Sequence, residues 1–249
     1  IVDFSKALKI YENPEKLLSL SLGSSETTLL QLVSAYCSFV NGGKLINPKF
    51  IDRIQDSEGN TIFNSETREC EGCDQISYLS DNIPKIKSNF KQIISKETAY
   101  QMTSILEGTV KRGTAKGLKD LNLDLGGKTG TTNKNTDTWF IGFSSNYVIG
   151  IYVGYDEPSS LGRYETGART AMPIFKDFVK KAVKKENARP FKIPGGIKML
   201  VVNTNTGERA SYSDESIIIE AFKEKDLVNN KIQYGNKDYI SKENIYKFY

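Results

Sequence analysis

The most informative stretch of the chain runs from Gly126 to Phe143 and reads GGKTGTTNKNTDTWFIGF. Glycine and threonine crowd its first half around Lys128, and a β-rich apolar run follows. One interpretation is a phosphate-binding loop, G-x-x-x-x-G-K-[ST]. That pattern fails because its first glycine falls at Asn122, and because the Gly, Thr and Asn cluster after Thr129 cannot begin the required helix. The stretch therefore indicates a strand with a different ligand.

The residue types in this stretch suit a substrate that ends in a carboxylate. Lys128 offers a cation, and Thr129 and Thr131 offer hydroxyl donors from the same predicted strand. A backbone N–H on the free edge of such a strand can serve as one half of an oxyanion hole. Three residues without side chains leave room for a peptide to pair along the strand: Gly126, Gly127 and Gly130.

The composition limits the chemistry that can act beside this strand. The 249 residues include no histidine, which excludes a Ser-His-Asp triad, a Cys-His pair and a His-ligated metal site built from this chain alone. The three cysteines are too few and too scattered for zinc, so we expect no metal and no cofactor. Cys70 and Cys73 form either a local disulfide or two free thiols. The net charge of +4 is spread along the chain, which gives no support for a nucleic-acid partner.

The surroundings of the strand resemble one protein family. Residues 105–118 read ILEGTVKRGTAKGL, and residues 147–179 read YVIGIYVGYDEPSSLGRYETGARTAMPIFKDFV. Residues 18–60 read LSLSLGSSETTLLQLVSAYCSFVNGGKLINPKFIDRIQDSEGN. Together with the Lys-Thr-Gly stretch, these three segments are similar to the transpeptidase domain of class A, bifunctional penicillin-binding proteins. The resemblance runs from about Leu18 to Val183 and concerns the C-terminal part of that domain.

The resemblance implies an α+β fold like that of penicillin-binding proteins and serine β-lactamases, an antiparallel sheet flanked by helices and incomplete at its N-terminus. It implies that a serine attacks the penultimate D-Ala carbonyl of a peptidoglycan stem peptide, and that an amine of a neighbouring stem then takes the acyl group. Lys128 and Thr131 are then the catalytic candidates. Lys128 would tune the electrostatics of the cleft, and the Thr131 N–H would be a donor in the oxyanion hole. Thr129, Gly130 and Thr132 are the substrate-binding candidates. The hydroxyls of Thr129 and Thr131 would hold the carboxylate of the substrate or of a β-lactam, and strand packing is the alternative for Thr132.

The two motifs that complete this family's site, S-x-x-K with the nucleophile and S-x-N, are expected upstream of the segment that matches Leu18. Two look-alikes occur, SDN at 80–82 and SNFK at 88–91. Their order is reversed, and S-x-x-K needs a helix N-terminus so that its lysine reaches the serine. We interpret both as coincidences. The chain alone is therefore expected to be inactive, with the missing upstream part of the domain as its partner.

Three hypotheses remain open at this stage. The chain is part of a peptidoglycan D,D-transpeptidase, a non-catalytic module that binds peptidoglycan or β-lactams, or a free-standing hydrolase of the same fold with an unrecognised nucleophile. Under the first, the parent is expected to be a glycosyltransferase as well. It would lie on the extracytoplasmic (periplasmic) face of the cytoplasmic membrane, which it would contact only through an N-terminal anchor outside this chain.

Local patterns predict the elements of the first 186 residues, the expected part of the transpeptidase domain. A capping box of Thr28 and Gln31 begins one helix, and Ser95 caps a second. Residues 49–55 and 61–63 form a hairpin, and 138–143 and 147–155 form adjacent antiparallel strands. A third helix places these residues on one apolar face: Ala171, Ile174, Phe175, Phe178 and Ala182.

Residues 187–249 are expected to hold a linker, a β-hairpin and a polar C-terminal extension. The hairpin is predicted from residues 197–203 and 208–212, joined by the Asn205-Thr206-Gly207 turn.

Overall fold

The computed structural model of the chain describes residues 1–73, 84–183 and 188–229. The chain divides into two units, Ile1–Pro194 and Gly195–Tyr249, each with its own internal packing. The predicted boundary between residues 186 and 187 stays a prediction.

Two helices of the first unit begin where their capping residues predict. The helices of this unit are α1 (Val2–Ala7), α2 (Leu29–Val40), α3 (Lys96–Lys111) and α4 (Ala171–Ala182), with 3-10 turns at Leu18–Leu22 and Lys116–Leu121. At α2, Thr28 Oγ1 accepts from Gln31 N, and Gln31 Oε1 accepts from Thr28 N. At α3, Ser95 Oγ accepts from Thr98 N. The predicted capping box and the Ser95 cap are therefore confirmed.

Two small antiparallel pairs lie between α2 and α3. Strands β1 (Arg53–Gln55) and β2 (Thr61–Asn64) form the predicted hairpin, and β3 (Cys70–Glu71) pairs with β4 (Lys85–Ile86). A disulfide joins Cys70 to Cys73, which decides between the two alternatives left open for these cysteines.

The sheet that carries the Lys-Thr-Gly stretch is antiparallel, in the order β5 (Gly126–Thr131), β6 (Asp137–Phe143) and β7 (Val148–Gly154). The predicted pairing of the second and third of these strands is confirmed. Gly126 lies opposite Phe143 and Thr131 opposite Thr138, so β5 pairs along its whole length. Within the described residues, β5 forms one edge of this sheet.

Helices cover the two faces of the sheet. On one face, the buried rings of Phe140 on β6 and Phe175 on α4 meet edge to face, with centroids 5.0 Å apart. On the other, α2 crosses β7 at Gly150, where an added Cβ would lie 2.5 Å from Val33 Cγ2 and 2.7 Å from Leu29 Cδ1. Glycine is needed there because the helix approaches the strand so closely. This confirms the expected α+β arrangement of an antiparallel sheet flanked by helices.

The buried face of α4 differs from the prediction. Ala171 and Phe175 are buried as expected, but Met172 and Val179 complete the buried stripe. Ile174 and Phe178 are 49% and 51% exposed. Successive helical residues are about 100° apart, so the residues just before Phe175 and Val179 turn away from the sheet. The prediction was wrong because apolar character alone did not show which side of a broad apolar face meets the sheet.

The second unit corrects the predicted C-terminal hairpin. Strand β8 (Ile197–Asn203) pairs with β9 (Ile217–Lys223), and α5 (Glu224–Asn229) follows. The predicted partner, residues 208–212, makes only one bridge, from Arg209 to Val202. The β-branched run at Ile217–Ile219 is the better partner for the apolar β8, which explains why it displaces a closer but polar segment.

We predict that Phe175→Ala lowers the free energy of unfolding by about 3–5 kcal/mol, because it leaves a cavity under the sheet. Phe178→Ala, on the same helix but half exposed, is the matched control and should cost less than about 1 kcal/mol. Urea titration of residues 1–249 measures both. Equal losses for the two variants would contradict the observed orientation of α4.

Candidate functional site

The free edge of β5 presents the backbone of alternate residues. Thr132 N donates to Asp137 O at 3.2 Å, so the peptide groups of Thr132 face β6. In an antiparallel pair, the N–H and C=O of one residue point to the same side, and successive residues alternate between facing the partner strand and facing away from it. Gly127 and Thr129 should therefore face away from β6, and their carbonyls do. Gly127 O accepts from Thr109 Oγ1 at 2.6 Å, and Thr129 O accepts from Lys128 Nζ at 2.7 Å. The N–H groups of Thr129 and Thr131 therefore face the edge.

Lys128 brings its positive charge to the same edge. Its side chain leaves the opposite face of the strand from Thr129 and Thr131 and is exposed. The hydrogen bond from Nζ to Thr129 O shows that the ammonium group curls round to the edge. The Lys128 ammonium group, the outward N–H groups and the hydroxyls of Thr129 and Thr131 thus all lie along the outer edge of β5.

The hydroxyls of Thr129 and Thr131 have different surroundings. Thr129 Oγ1 lies 3.4 Å from Thr114 Oγ1, at the outer limit of a hydrogen bond. Thr131 Oγ1 accepts a hydrogen bond of 3.1 Å from the backbone N–H of Gly167. The alternation of side chains places both hydroxyls on the same face, two residues apart. This is the arrangement that could hold the two oxygens of one carboxylate.

Thr132 and Gly130 occupy less direct positions. Thr132 lies just after β5, where its Oγ1 accepts from Asp137 N at 3.0 Å and lies 2.8 Å from Thr136 Oγ1. Because these bonds close the β5–β6 turn, the geometry favours the packing alternative for Thr132, and its substrate contact stays a prediction. Gly130 pairs with Trp139 and supplies no side chain between the two threonines.

Four residues near this strand were missed by sequence reasoning: Thr109, Thr114, Asn135 and Gly167. Thr109 and Thr114 lie in the stretch 105–118, which carried the family resemblance but no assigned roles. Thr109 holds an edge carbonyl, and Gly167 contacts Thr131 across 36 positions of sequence. A contact over that separation leaves no local periodicity or motif that could have revealed it.

Among the described residues, the S-x-x-K look-alike and the free cysteine offer no nucleophile of the expected kind. Ser80-Asp81-Asn82 lies outside the described residues. Ser88 and Lys91 belong to an irregular segment before Ser95, where α3 is capped, so they lack the helical turn that would join them. Cys37 is half-buried on α2, and burial raises the pKa of its thiol, which disfavours the reactive thiolate.

Within the described part of the chain, no group of three or more His, Cys, Asp or Glu side chains is placed to hold a metal ion. None of the described helices has the length and apolar character to cross a bilayer.

Comparison with known proteins identifies the class to which this fold and edge strand belong. Residues 5–180 match the penicillin binding protein transpeptidase domain, and the chain belongs to that family. Penicillin-binding protein 1A of Rickettsia bellii is 40% identical over 98% of the chain and 32% of its own length. Penicillin-binding protein 1A of Pseudomonas aeruginosa is 32% identical over 84% of the chain and 29% of its own length.

A solved structure gives the same result. The crystal structure of penicillin-binding protein 1A from Haemophilus influenzae superposes with a TM-score of 0.75 at 30% identity, over 89% of this chain and 36% of that one. The chain thus spans about a third of the length of these relatives. The family resemblance stated from the sequence is confirmed.

We predict that the amides of Thr129 and Thr131 exchange with solvent faster than those of Lys128 and Gly130. The first two face the free edge and the second two pair with β6, so only the second pair should be protected. Hydrogen–deuterium exchange followed by nuclear magnetic resonance on residues 1–249 measures the four amides. Equal protection at Thr131 and Gly130 would show that this N–H is not available to a ligand.

Proposed function

We propose that this chain forms the substrate-binding side of a peptidoglycan D,D-transpeptidase, which cross-links stem peptides by acyl transfer from D-Ala-D-Ala. One observation carries the proposal, the convergence of the Lys128 ammonium, the Thr129 and Thr131 hydroxyls and the outward Thr131 N–H on the edge of β5. A carboxylate-terminated peptide that pairs along the strand meets all four groups. β-Lactams, which also carry a carboxylate beside a reactive carbonyl, would bind the same edge.

The roles of the residues follow from where charge lies before and during the reaction. The substrate carboxylate is charged throughout, so Lys128 and the two hydroxyls bind and orient it. The carbonyl oxygen gains negative charge only as the serine attacks, and the Thr131 N–H then becomes a stronger donor to it. Thr131 thus contributes to the transition state through its backbone and to binding through its side chain.

The covalent step needs a serine from the upstream part of the domain. Its oxygen adds to the penultimate D-Ala carbonyl, the C–N bond to the terminal D-Ala breaks, and the leaving amine takes a proton. An amine of a neighbouring stem then attacks the acyl-serine ester and releases the serine. On this chain, Thr131 N–H holds the carbonyl oxygen in both steps.

Our proposal for the whole protein rests on its family and on the length of the relatives, of which this chain spans about a third. We propose a class A parent that is also a peptidoglycan glycosyltransferase, acts on the periplasmic face of the cytoplasmic membrane and is held there by an N-terminal anchor. Residues 1–186 would form the end of its transpeptidase domain, with residues 187–249 as a linker, a hairpin and an extension. The upstream part of the domain is then the essential partner of this chain.

We predict that residues 1–249 alone form no acyl adduct with a fluorescent penicillin, because the nucleophile is supplied from outside the chain. Intact-mass spectrometry after incubation tests this directly. An adduct mapped to Ser88, or to any other serine of the chain, would instead favour a free-standing hydrolase. Reversible binding of penicillin without an adduct in the full-length gene product would favour the non-catalytic module.

We predict that Lys128→Ala and Thr131→Val each slow penicillin acylation of the full-length gene product about tenfold or more. Each removes a charge-assisted contact worth about 1.5–3 kcal/mol, and 1.36 kcal/mol corresponds to about tenfold in rate. Second-order rates of labelling measure the effect. Thr61→Val, on the exposed strand β2, is the matched control. Rates within about twofold of wild type for both site variants would remove β5 from the mechanism.

A further inference from the structure

The segment from Leu161 to Thr170 connects to the β5–β6 turn at one end and to helix α4 at the other, and hydrogen bonds hold it to both. Leu161 N donates to Asn135 O at 2.8 Å, and Asn135 Nδ2 donates to the carbonyls of Gly162 and Arg163 at 2.9 and 3.1 Å. At the other end, Met172 N on α4 donates to Gly167 O at 2.8 Å. The segment is therefore tied to the β5–β6 turn and to the first turn of α4.

Gly167 lies directly against the backbone of β5 and β6. It is buried, and its N–H donates to Thr131 Oγ1 at 3.1 Å. An added Cβ would collide with Trp139 O and would lie 2.7 Å from Gly130 O. Both obstacles are backbone atoms of paired strands, which cannot move aside as a flexible side chain can. Only glycine therefore allows this N–H to reach Thr131.

The hydrogen bond from Gly167 decides what the Thr131 hydroxyl can do. A hydroxyl has one proton to donate and two lone pairs that accept. Gly167 uses a lone pair, and Thr131 Oγ1 donates to no group among the described residues. The proton is thus left for a ligand, and a hydroxyl that accepts one hydrogen bond is a stronger donor of the next. Thr129 Oγ1 has no comparable contact with a backbone N–H in the described structure; its recorded neighbour is the Thr114 hydroxyl.

We propose that Gly167 is a positioning residue, whose N–H holds the Thr131 hydroxyl as a donor toward the substrate carboxylate. This inference rests on the proposed function, since it assigns an orienting group to one of its carboxylate ligands. It also gives the segment before α4 a role at the site, because α4 fixes Gly167 through Met172. The two threonines then differ, because Gly167 holds the hydroxyl of Thr131 in one direction, whereas the hydroxyl of Thr129 can change its direction.

A double-mutant cycle in the full-length gene product tests the proposal through the rate of penicillin acylation. We expect Gly167→Ala and Thr131→Val each to slow acylation about tenfold. Because Gly167 acts through the Thr131 hydroxyl, Gly167→Ala should change the rate less than about twofold in the Thr131→Val background. The control is Gly117→Ala, where an added Cβ meets only the flexible end of Met172, 3.1 Å away. Its rate should match wild type.

The outcomes separate the two claims. If Thr131→Val leaves acylation unchanged, the proposed function fails at this strand. If Thr131→Val slows acylation but Gly167→Ala slows it by the same factor in both backgrounds, Gly167 is merely structural and the positioning role is overturned.

A second measurement covers the case in which Gly167→Ala does not fold. Thr131→Ser keeps the hydroxyl, and so should keep both the acylation rate, within about threefold, and the protection of the Gly167 amide from hydrogen exchange. Thr131→Val should lose both. A Gly167 amide that stays equally protected in Thr131→Val would overturn the proposal, because the Thr131 hydroxyl would then not be the group that holds this N–H.

Discussion

The pairing of β5 with β6 is the constraint on which the rest of this molecule depends. Its register sends the N–H and C=O of Lys128 and Gly130 into the sheet and leaves those of Gly127, Thr129 and Thr131 at the edge. A shift of one residue would reverse both sets and move every side chain to the other face. The outward N–H, the two hydroxyls and the route of the lysine all follow from this one register.

The surrounding elements hold that register from three directions. Thr109 on α3 binds an edge carbonyl of β5, and Phe175 on α4 packs beneath β6. Helix α2 lies close to β7 because Gly150 has no side chain. The edge thus remains open at Thr129 and Thr131, whereas α3 covers it at the buried Gly126 and Gly127, and the sheet behind it is covered on both faces. An open edge is costly in most proteins because it invites pairing with other chains, so its retention here agrees with a role in binding peptides.

The sequence predicted those features that depend on local chemistry. The caps at Thr28 and Ser95, the β6–β7 pair and the Lys-Thr-Gly strand each follow from residues close together in the chain. Other features were missed because they depend on competition between distant segments. The buried side of α4 is chosen by the sheet, and β8 takes Ile217–Ile219 over a nearer polar partner. The contact between Gly167 and Thr131 also joins distant segments. The sequence therefore predicted the Lys-Thr-Gly strand of the site but not the segment of residues 161–170 that contacts it.

A crystal structure of the full-length gene product acylated by a penicillin would show directly whether the edge of β5 binds the substrate. We expect the ligand carboxylate to lie within hydrogen-bond distance of the Thr129 and Thr131 hydroxyls, and the former lactam carbonyl oxygen to accept from Thr131 N–H. The Gly167 N–H should still donate to Thr131 Oγ1. A carboxylate bound away from β5, or a carbonyl oxygen that does not meet Thr131 N–H, would contradict the claim that this edge recognises the substrate.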